Sequence, residues 1–261
     1  MRESKWVRLN LGVNVTKGFG FGIEIERERQ TGELESVALS VLPPKRTLFR
    51  GALRGRERTA RVRVCADGGA NRVFDEMPRL IPSDDALDVR HSKGVHDASC
   101  QSRLEYKPDV IKGDMDSIRT EVLDFYANLG TEVIDESHDQ DTTDLHKCVA
   151  YIRDFTPNLD KSNLCILVTG ALGGRFDHEA GNINVLYRFS TMRLILLSDD
   201  CLIYLLPRTH RHEINIQSSV EGPHCGLIPI GMPSVSTTTG LRWNLSKYIA
   251  SKITLVIAFV C

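Results

Sequence analysis

The 261-residue sequence lacks several features that would place it in a function class at once. It has no surplus of charge, since 33 basic residues stand against 34 acidic ones, so no overall field attracts nucleic acid or anionic lipid. Its seven cysteines are scattered without a Cys-x-x-Cys pair, which favours reduced thiols and a cytoplasmic location. Its longest apolar run, Ile253 to Cys261, is too short to span a bilayer. We therefore expect a globular protein with no nucleic-acid partner and no membrane partner.

The common nucleotide-binding signatures are missing too. Neither GxGxxG nor GxxxxGK[ST] occurs, so a standard dinucleotide fold or a Walker loop is not supported. What recurs instead is a short apolar strand, a polar turn and a helix, in segments that begin near residues 60, 108, 131 and 163. Because strands that alternate with helices form parallel sheets through right-handed crossovers, the sequence predicts an α/β fold with a mostly parallel sheet flanked by helices.

The remaining segments complete the predicted organisation. Residues 36–44 are a candidate strand, and residues 1–35 are an unassigned extension that reads as a hairpin or a poorly ordered tail. Residues 79–106 are polar and without pattern, which predicts an inserted loop. After Ser198, short alternating runs between Gly and Pro are typical of a smaller antiparallel, sandwich-like β domain. We predict an α/β domain over 36–197 and a β domain over 198–261.

Two acidic stretches, "KGDMDS" (112–117) and "DQDTTD" (139–144), follow predicted strands, as do the glycine-rich turns at Asp67 and Arg175, and all four should converge on one crevice at the edge of the sheet. Asp114 and Asp116 leave an extended backbone on the same side, and two adjacent carboxylates with substrate phosphates suit Mg²⁺. Lys147 lies one turn after Asp144 and could bind phosphate. The alternative is helix capping, by Asp116 and Ser117 in the first stretch and by an Asp141-x-x-Asp144 arrangement in the second.

Two glycine-rich stretches, "CADGGANR" and "TGALGGRFDH", provide possible anion sites, because glycines let backbone N–H groups approach phosphate at a helix N-terminus. Asp67 could hold a ribose hydroxyl, Arg175 could bind phosphate with both arms of its guanidinium, and Asp177 could face an organic cation or a hydroxyl. The alternative for both stretches is a plain tight turn.

Taken together, "CADGGANR", "KGDMDSIR", "DQDTTDLHK", "GALGGRFDH" and "TTTGLRWNL" occur in the order and approximate spacing of thiamine pyrophosphokinases. The chain resembles that family from about Cys65 to Leu245. The resemblance implies transfer of a pyrophosphoryl group from ATP to thiamine, which gives thiamine diphosphate and AMP. It also implies Mg²⁺ as cofactor and a homodimer with thiamine sites between the subunits.

The resemblance further implies roles for individual residues. The implied catalytic groups are Asp114, Asp116, Asp141, Asp144 and Lys147, with Asp114, Asp116 and Asp144 as metal ligands. The implied nucleotide contacts are Asp67, Gly68, Gly69, Asn71, Gln140 and Arg175. The implied thiamine contacts are Asp177 and Trp243, whose indole could stack on a cationic thiazolium ring. Without the resemblance, an ordinary core tryptophan explains Trp243 equally well.

The sequence departs from the family pattern at both ends. Residues 1–35 match none of its motifs, and residues 246–261 look like a replaced C-terminus in which the apolar run serves as a substitute edge strand. On this basis we expect an incomplete thiamine pocket, weak thiamine binding and low activity. Two other functions stay open: a different Mg²⁺-dependent enzyme of phosphate esters or nucleotide sugars, and a non-catalytic variant that binds nucleotide and dimerises with an intact enzyme.

Overall fold

The fold is seen in a computed structural model that describes twelve stretches of the chain. They are residues 6–16, 20–26, 36–40, 62–80, 97–155, 164–198, 201–207, 211–215, 224–230, 235–245, 248–249 and 255–260. A basic stretch at 46–58, which the sequence predicts as a helix or a loop, lies outside the described residues.

A parallel sheet forms the centre of the described structure. Its strands are β3 (Ser36–Ser40), β4 (Arg63–Ala66), β5 (Val110–Gly113), β6 (Glu132–Asp135), β7 (Cys165–Thr169) and β8 (Arg193–Leu197). They lie in the spatial order β8-β7-β3-β4-β5-β6, and every neighbouring pair is parallel. The predicted α/β fold class and the predicted strand within 36–44 are thereby confirmed.

Helices cover both faces of this sheet. They are α1 (Gly69–Leu80), α2 (Asp97–Glu105), α3 (Thr120–Asn128), α4 (Asp144–Phe155) and α5 (Phe176–Arg188). Buried side chains of α1 and α3 share a hydrophobic cluster with Cys65 and Ile111, whereas those of α4 and α5 share another with Val64 and Val110. Since neighbouring strand residues point to opposite faces, the two clusters are the two faces of one sheet.

The prediction of an inserted loop over 79–106 is wrong at both ends. Helix α1 continues to Leu80, and residues 97–105 form α2. The sequence of α2 is polar and has no clear periodicity, so a pattern search cannot find it. Tertiary contacts hold the helix instead: the Arg103 guanidinium stands 3.9 Å over the Phe74 ring, and its Nε donates to the Phe74 carbonyl at 2.9 Å. Residues 81–96 lie outside the described part of the chain.

Antiparallel strands extend the parallel sheet beyond β8. β9 (Cys201–Leu206) pairs with β8, and β14 (Leu255–Val260) pairs with β9 on one side and with β11 (His224–Pro229) on the other. The expectation that the C-terminal apolar run forms an edge strand is therefore wrong, because both of its edges carry ladder hydrogen bonds. β12 (Val235–Ser236) and β13 (Tyr248–Ile249) form a separate two-stranded pair.

The N-terminal segment adopts the hairpin that was one of its two predicted forms. β1 (Trp6–Thr16) and β2 (Gly20–Glu26) are antiparallel, and β1 also pairs in parallel with β10 (Arg211–Asn215). Within the described residues, no helix has the length and apolar character needed to cross a bilayer. The division into domains at about residue 198 stays a prediction.

Candidate metal and phosphate site

Three carboxylates meet where β4 and β5 end. Asp67 follows β4, Asp114 and Asp116 follow β5, and one oxygen from each lies within 4.8 Å of the others. This is the edge of a parallel sheet at which ligands bind, since the carboxyl ends of the strands face it. The predicted convergence of the first acidic stretch with the Asp67 turn is present in the structure.

Asp67 is almost fully buried, with 1% of its surface exposed. Its two carboxylate oxygens accept the backbone N–H groups of Ser117 and Ile118 at 2.9 and 3.1 Å. Burial raises the pKa of Asp67, and the two amides lower it in part. Its φ of 35° lies in the left-handed region, which Asp tolerates better than most side chains.

Asp114 and Asp116 lie on a tight acidic turn. The Asp116 N–H donates to Asp114 Oδ1 at 3.4 Å, and Met115 between them has a φ of 62°. The Ser117 hydroxyl donates to Asp116 at 2.6 Å and lowers the pKa of that carboxyl. Helix α3 has Arg119 as its N-cap with no side-chain capping bond, so the alternative that Asp116 and Ser117 cap this helix is wrong.

Asp144 and Lys147 add a further carboxylate and a buried cation. The side chain of Lys147 is 1% exposed, and its Nζ lies 3.5 Å from Asp144 Oδ1. Burial raises the pKa of Asp144, and the charge of Asp114 raises it further, whereas Lys147 lowers it. Gly113 makes room for this group, because a Cβ there would lie 2.7 Å from Asp67 Cβ and 3.0 Å from Asp144 Oδ1.

The second acidic stretch is capped by other residues than the predicted pair. Asp139 Oδ1 accepts the N–H groups of Asp141 and Thr142 at 3.0 and 3.2 Å. Thr143 Oγ1 accepts the His146 N–H at 3.3 Å at the start of α4. Because α4 begins at Asp144, Thr143 and not Asp141 occupies the capping position, so the Asp141-x-x-Asp144 capping interpretation is wrong. The catalytic role of Asp141 stays a prediction.

The glycines of "CADGGANR" form a hydrogen-bonded turn in which the Ala70 N–H donates to the Asp67 carbonyl and the Asn71 N–H to the Gly68 carbonyl. Gly68 lies close to the acidic turn, since a Cβ there would lie 3.0 Å from Ser117 Cβ. Gly69 opens helix α1. Gln140, the other predicted nucleotide contact in this region, is exposed, and its amide donates to the Ser137 carbonyl.

The glycine-rich loop before α5 binds a carboxylate of the same chain, that of Glu179. The N–H groups of Gly173 and Gly174 both donate to Glu179 Oε1, at 2.5 and 2.8 Å. Arg175 pairs with Asp177 and lowers the pKa of that carboxyl to about 2. Sequence reasoning missed Glu179, although an acidic residue in the first turn of a helix is a signal for such a contact.

Trp243 is 77% exposed, which makes the core-tryptophan alternative wrong. The Arg242 guanidinium lies 4.8 Å from its ring centroid, so the indole face already accepts a flat cation. The loop around it is held by side-chain bonds: the Leu241 N–H donates to Asn244 Oδ1 at 3.0 Å, and the Leu245 N–H to Thr238 Oγ1 at 2.8 Å.

The donor set of the three-carboxylate group fits a hard divalent cation. Oxygen is the ligand atom that Mg²⁺ prefers, and opposite ligands of an octahedral Mg²⁺ are about 4.2 Å apart. One oxygen from each of Asp67, Asp114 and Asp116 lies within 4.8 Å of the others, so a single ion could contact all three after small side-chain movements. Of the three predicted metal ligands, the structure brings Asp114 and Asp116 into this group with Asp67, and it places Asp144 beside Gly113 and Lys147.

Comparison with known proteins gives one consistent answer. The model of the thiamin pyrophosphokinase catalytic domain matches residues 56–196, and that of the thiamin pyrophosphokinase vitamin B1 binding domain matches residues 211–256. Over 189 residues, the chain is 67% identical to thiamine pyrophosphokinase 1 of Oryza sativa subsp. japonica and 68% identical to thiamine pyrophosphokinase 1 of Arabidopsis thaliana.

Both alignments cover 72% of this chain, and they cover 67% and 66% of the two plant proteins, so the chain spans about two thirds of their length. The crystal structure of yeast thiamin pyrophosphokinase has a similar fold, with a TM-score of 0.66 at 23% identity, covering 88% of this chain and 87% of that one. From these matches and the order of its motifs, the chain belongs to the thiamin pyrophosphokinase family of enzymes.

Proposed function

We propose that this chain transfers a pyrophosphoryl group from ATP to thiamine with the help of Mg²⁺. The observation that carries the proposal is the group of Asp67, Asp114 and Asp116 at the carboxyl edge of the sheet, in a chain of this family. The hydroxyethyl oxygen of thiamine attacks the β-phosphorus of ATP, and the bond from that phosphorus to the α-phosphate oxygen breaks. AMP leaves, the hydroxyl proton is lost, and thiamine diphosphate forms.

Asp114 and Asp116 would hold Mg²⁺ together with Asp67, and Asp144, whose charge interacts with that of Asp114, would be a further ligand. When bound, Mg²⁺ neutralises the negative charge of the phosphate oxygens, which is the main requirement of phosphoryl-type transfer. Lys147 contributes a fixed positive charge next to Asp144, because α4 buries its side chain and leaves the ammonium at the site edge. Arg175 would turn from Asp177 to a phosphate oxygen when nucleotide binds.

The thiamine end of the reaction rests on Trp243 and Asp177. The exposed indole is a platform for the cationic thiazolium ring, and the ionised carboxylate of Asp177 is a partner for a positive or hydroxyl group. We also propose that the chain acts as a homodimer with thiamine bound between subunits, and that it works in the cytoplasm, in agreement with seven scattered cysteines that form no Cys-x-x-Cys pair. Light scattering during gel filtration would test the dimer, with a monomer as the contrary result.

Substitution of the acidic turn tests the proposal. Asp114→Asn and Asp116→Asn should each lower AMP formation by about 100-fold or more. Each substitution removes a carboxylate that would hold Mg²⁺, and the charge of Mg²⁺ stabilises the transition state. The circular dichroism spectrum should not change, because both side chains lie at the edge of the fold. Asp124→Asn, an exposed carboxylate on α3, is the matched control and should keep full activity. Full activity in both site variants would refute the proposal.

A further inference from the structure

Asn71 uses its side-chain amide on the backbone of the acidic turn. Its Nδ2 donates to the Ser117 carbonyl at 2.8 Å, and its Oδ1 accepts the Arg119 N–H at 3.0 Å. The two segments are more than 45 residues apart in the chain, so the fold and not the local sequence brings them together. A side chain that forms both bonds acts as a clamp on the backbone of Ser117–Arg119.

Asp67 completes the clamp from the same turn. Its oxygens take the Ser117 and Ile118 amides, so three successive backbone N–H groups, from 117 to 119, donate to two side chains. Helix α3 starts directly after this segment and has no side-chain cap of its own. The acceptors of these amides therefore lie on the turn after β4, and Asp67 and Asn71 hold the segment that follows Asp116.

We propose that Asn71 is a positioning residue of the reaction: it acts through the Ser117–Arg119 backbone on Asp114 and Asp116 and does not contact the nucleotide. This replaces the nucleotide contact that the family resemblance implies for Asn71, and it rests on the proposed function. The "DGGANR" turn then has a structural explanation, in which Asp67 and Asn71 hold the acidic turn and Gly68 lets the two segments approach.

The effect of losing the clamp should fall on the rate and not on nucleotide affinity. Asp116 directly precedes the clamped segment and is exposed. If the backbone at Ser117 and Arg119 becomes more mobile, the Asp116 carboxylate therefore becomes more mobile too. Because a displacement of about 1 Å at a reacting centre can cost about 100-fold in rate, we expect Asn71→Ala to lower kcat by about 10- to 100-fold. When Mg²⁺ is saturating, the KM for ATP should stay within about twofold, since no direct nucleotide contact is lost.

Two measurements do not depend on turnover. In Asn71→Ala, the Arg119 amide should exchange hydrogen about tenfold faster or more, while amides of β4 and β5 keep their protection. Mn²⁺ binding, followed by electron paramagnetic resonance in the presence of α,β-methylene-ATP, should weaken in this variant. The loss should be no larger than in Asp116→Asn, and Asn71→Ala should add little to the effect of Asp116→Asn when the two are combined, because both act through one carboxylate.

Arg72→Ala is the matched control, since Arg72 is the next residue on α1 and its ion pair among the described residues is a surface one, with Glu76 at 3.5 Å. It should leave kcat, Mn²⁺ binding and Arg119 exchange unchanged. A KM for ATP raised about tenfold in Asn71→Ala, with unchanged exchange at Arg119, would overturn the proposal.

The unsubstituted protein gives a further test that needs no variant. Its Arg119 amide should already be protected without nucleotide, and protection that arises only when MgATP is added would equally overturn the proposal. If the unsubstituted protein forms no AMP from ATP and thiamine, the proposed function fails, whereas the exchange data still decide the role of Asn71.

Discussion

Gly113 is the point at which the backbone of β5 makes room for the site, and Gly113→Ala should damage both stability and activity. The added Cβ would lie 2.7 Å from Asp67 Cβ, 3.0 Å from Asp144 Oδ1 and 3.2 Å from Asp144 Cγ. Real Cβ atoms essentially never come within 3.0 Å of such neighbours, so something must move. Asp144 can rotate, but Asp67 is held by two backbone amides and cannot shift without loosening the acidic turn.

The size of the effect follows from these contacts. Overpacking of this kind costs about 1–3 kcal/mol of unfolding free energy, and a strained rotamer of Asp144 would add about 1 kcal/mol. The two carboxylates would also be displaced by several tenths of an ångström, for which we expect about a 10- to 100-fold loss of kcat. Urea unfolding of the metal-free protein and an AMP-release assay measure the two effects.

The control for this prediction is Gly181→Ala, within helix α5. A Cβ at Gly181 meets only Thr143 Cγ2, at an ordinary 3.5 Å, so the substitution should stabilise the protein by up to about 1 kcal/mol through helix propensity. Unchanged stability and rate in Gly113→Ala would refute the reasoning, because the site would then have free space where the structure places two aspartates.

Three further predictions concern single contacts. Glu136→Gln should lower the unfolding free energy by about 1–3 kcal/mol in urea titrations, since it leaves the buried Lys112 ammonium without its carboxylate; equal stability would contradict this. Arg175→Ala should return the pKa of Asp177 from about 2 towards 3.8 in a carbon-13 NMR titration. Because that folded-state pKa is lowered, the pairing favours folding above about pH 4 and this contribution is lost as the pH falls towards 2, so a profile that is unchanged in Arg175→Ala would contradict the pairing. Thr131→Val should lower the unfolding free energy by about 1–2 kcal/mol, because the buried hydroxyl donates to the Pro108 carbonyl at 2.9 Å. An unchanged unfolding free energy would contradict this contribution.

The sheet could be predicted from the sequence because its strands are short apolar runs between helices. Val110–Gly113 and Cys165–Thr169 are almost fully buried, and such strands stand out in a sequence by composition alone. Helix α2 could not be found in this way, since its stability comes from Arg103 on Phe74 and not from its own pattern. The sequence did predict β14 as a strand, but not its place between two others, because β9 and β11 come from separate earlier segments of the chain.

The same distinction between sequence pattern and tertiary contact applies to the candidate site. The positions of Asp114 and Asp116 follow from the rule that parallel strands present their carboxyl ends at one edge, which needs only the order of elements. The contacts of Asn71 depend on how the start of α1 approaches the acidic turn, and no spacing in the sequence encodes that distance. The Glu179 contact is local, and its position in the first turn of α5 could have predicted it. The sequence therefore predicted the acidic centre but not that Asp67 and Asn71 hold its turn.

The account is tested most directly by analysing the products formed from ATP, thiamine and Mg²⁺. Phosphorus NMR of the reaction mixture should show AMP and thiamine diphosphate appearing in equal amounts, and none of either when Mg²⁺ is chelated or when Asp116→Asn replaces the unsubstituted protein. Formation of ADP with thiamine monophosphate, or turnover that persists in Asp116→Asn or without the metal, would contradict the account.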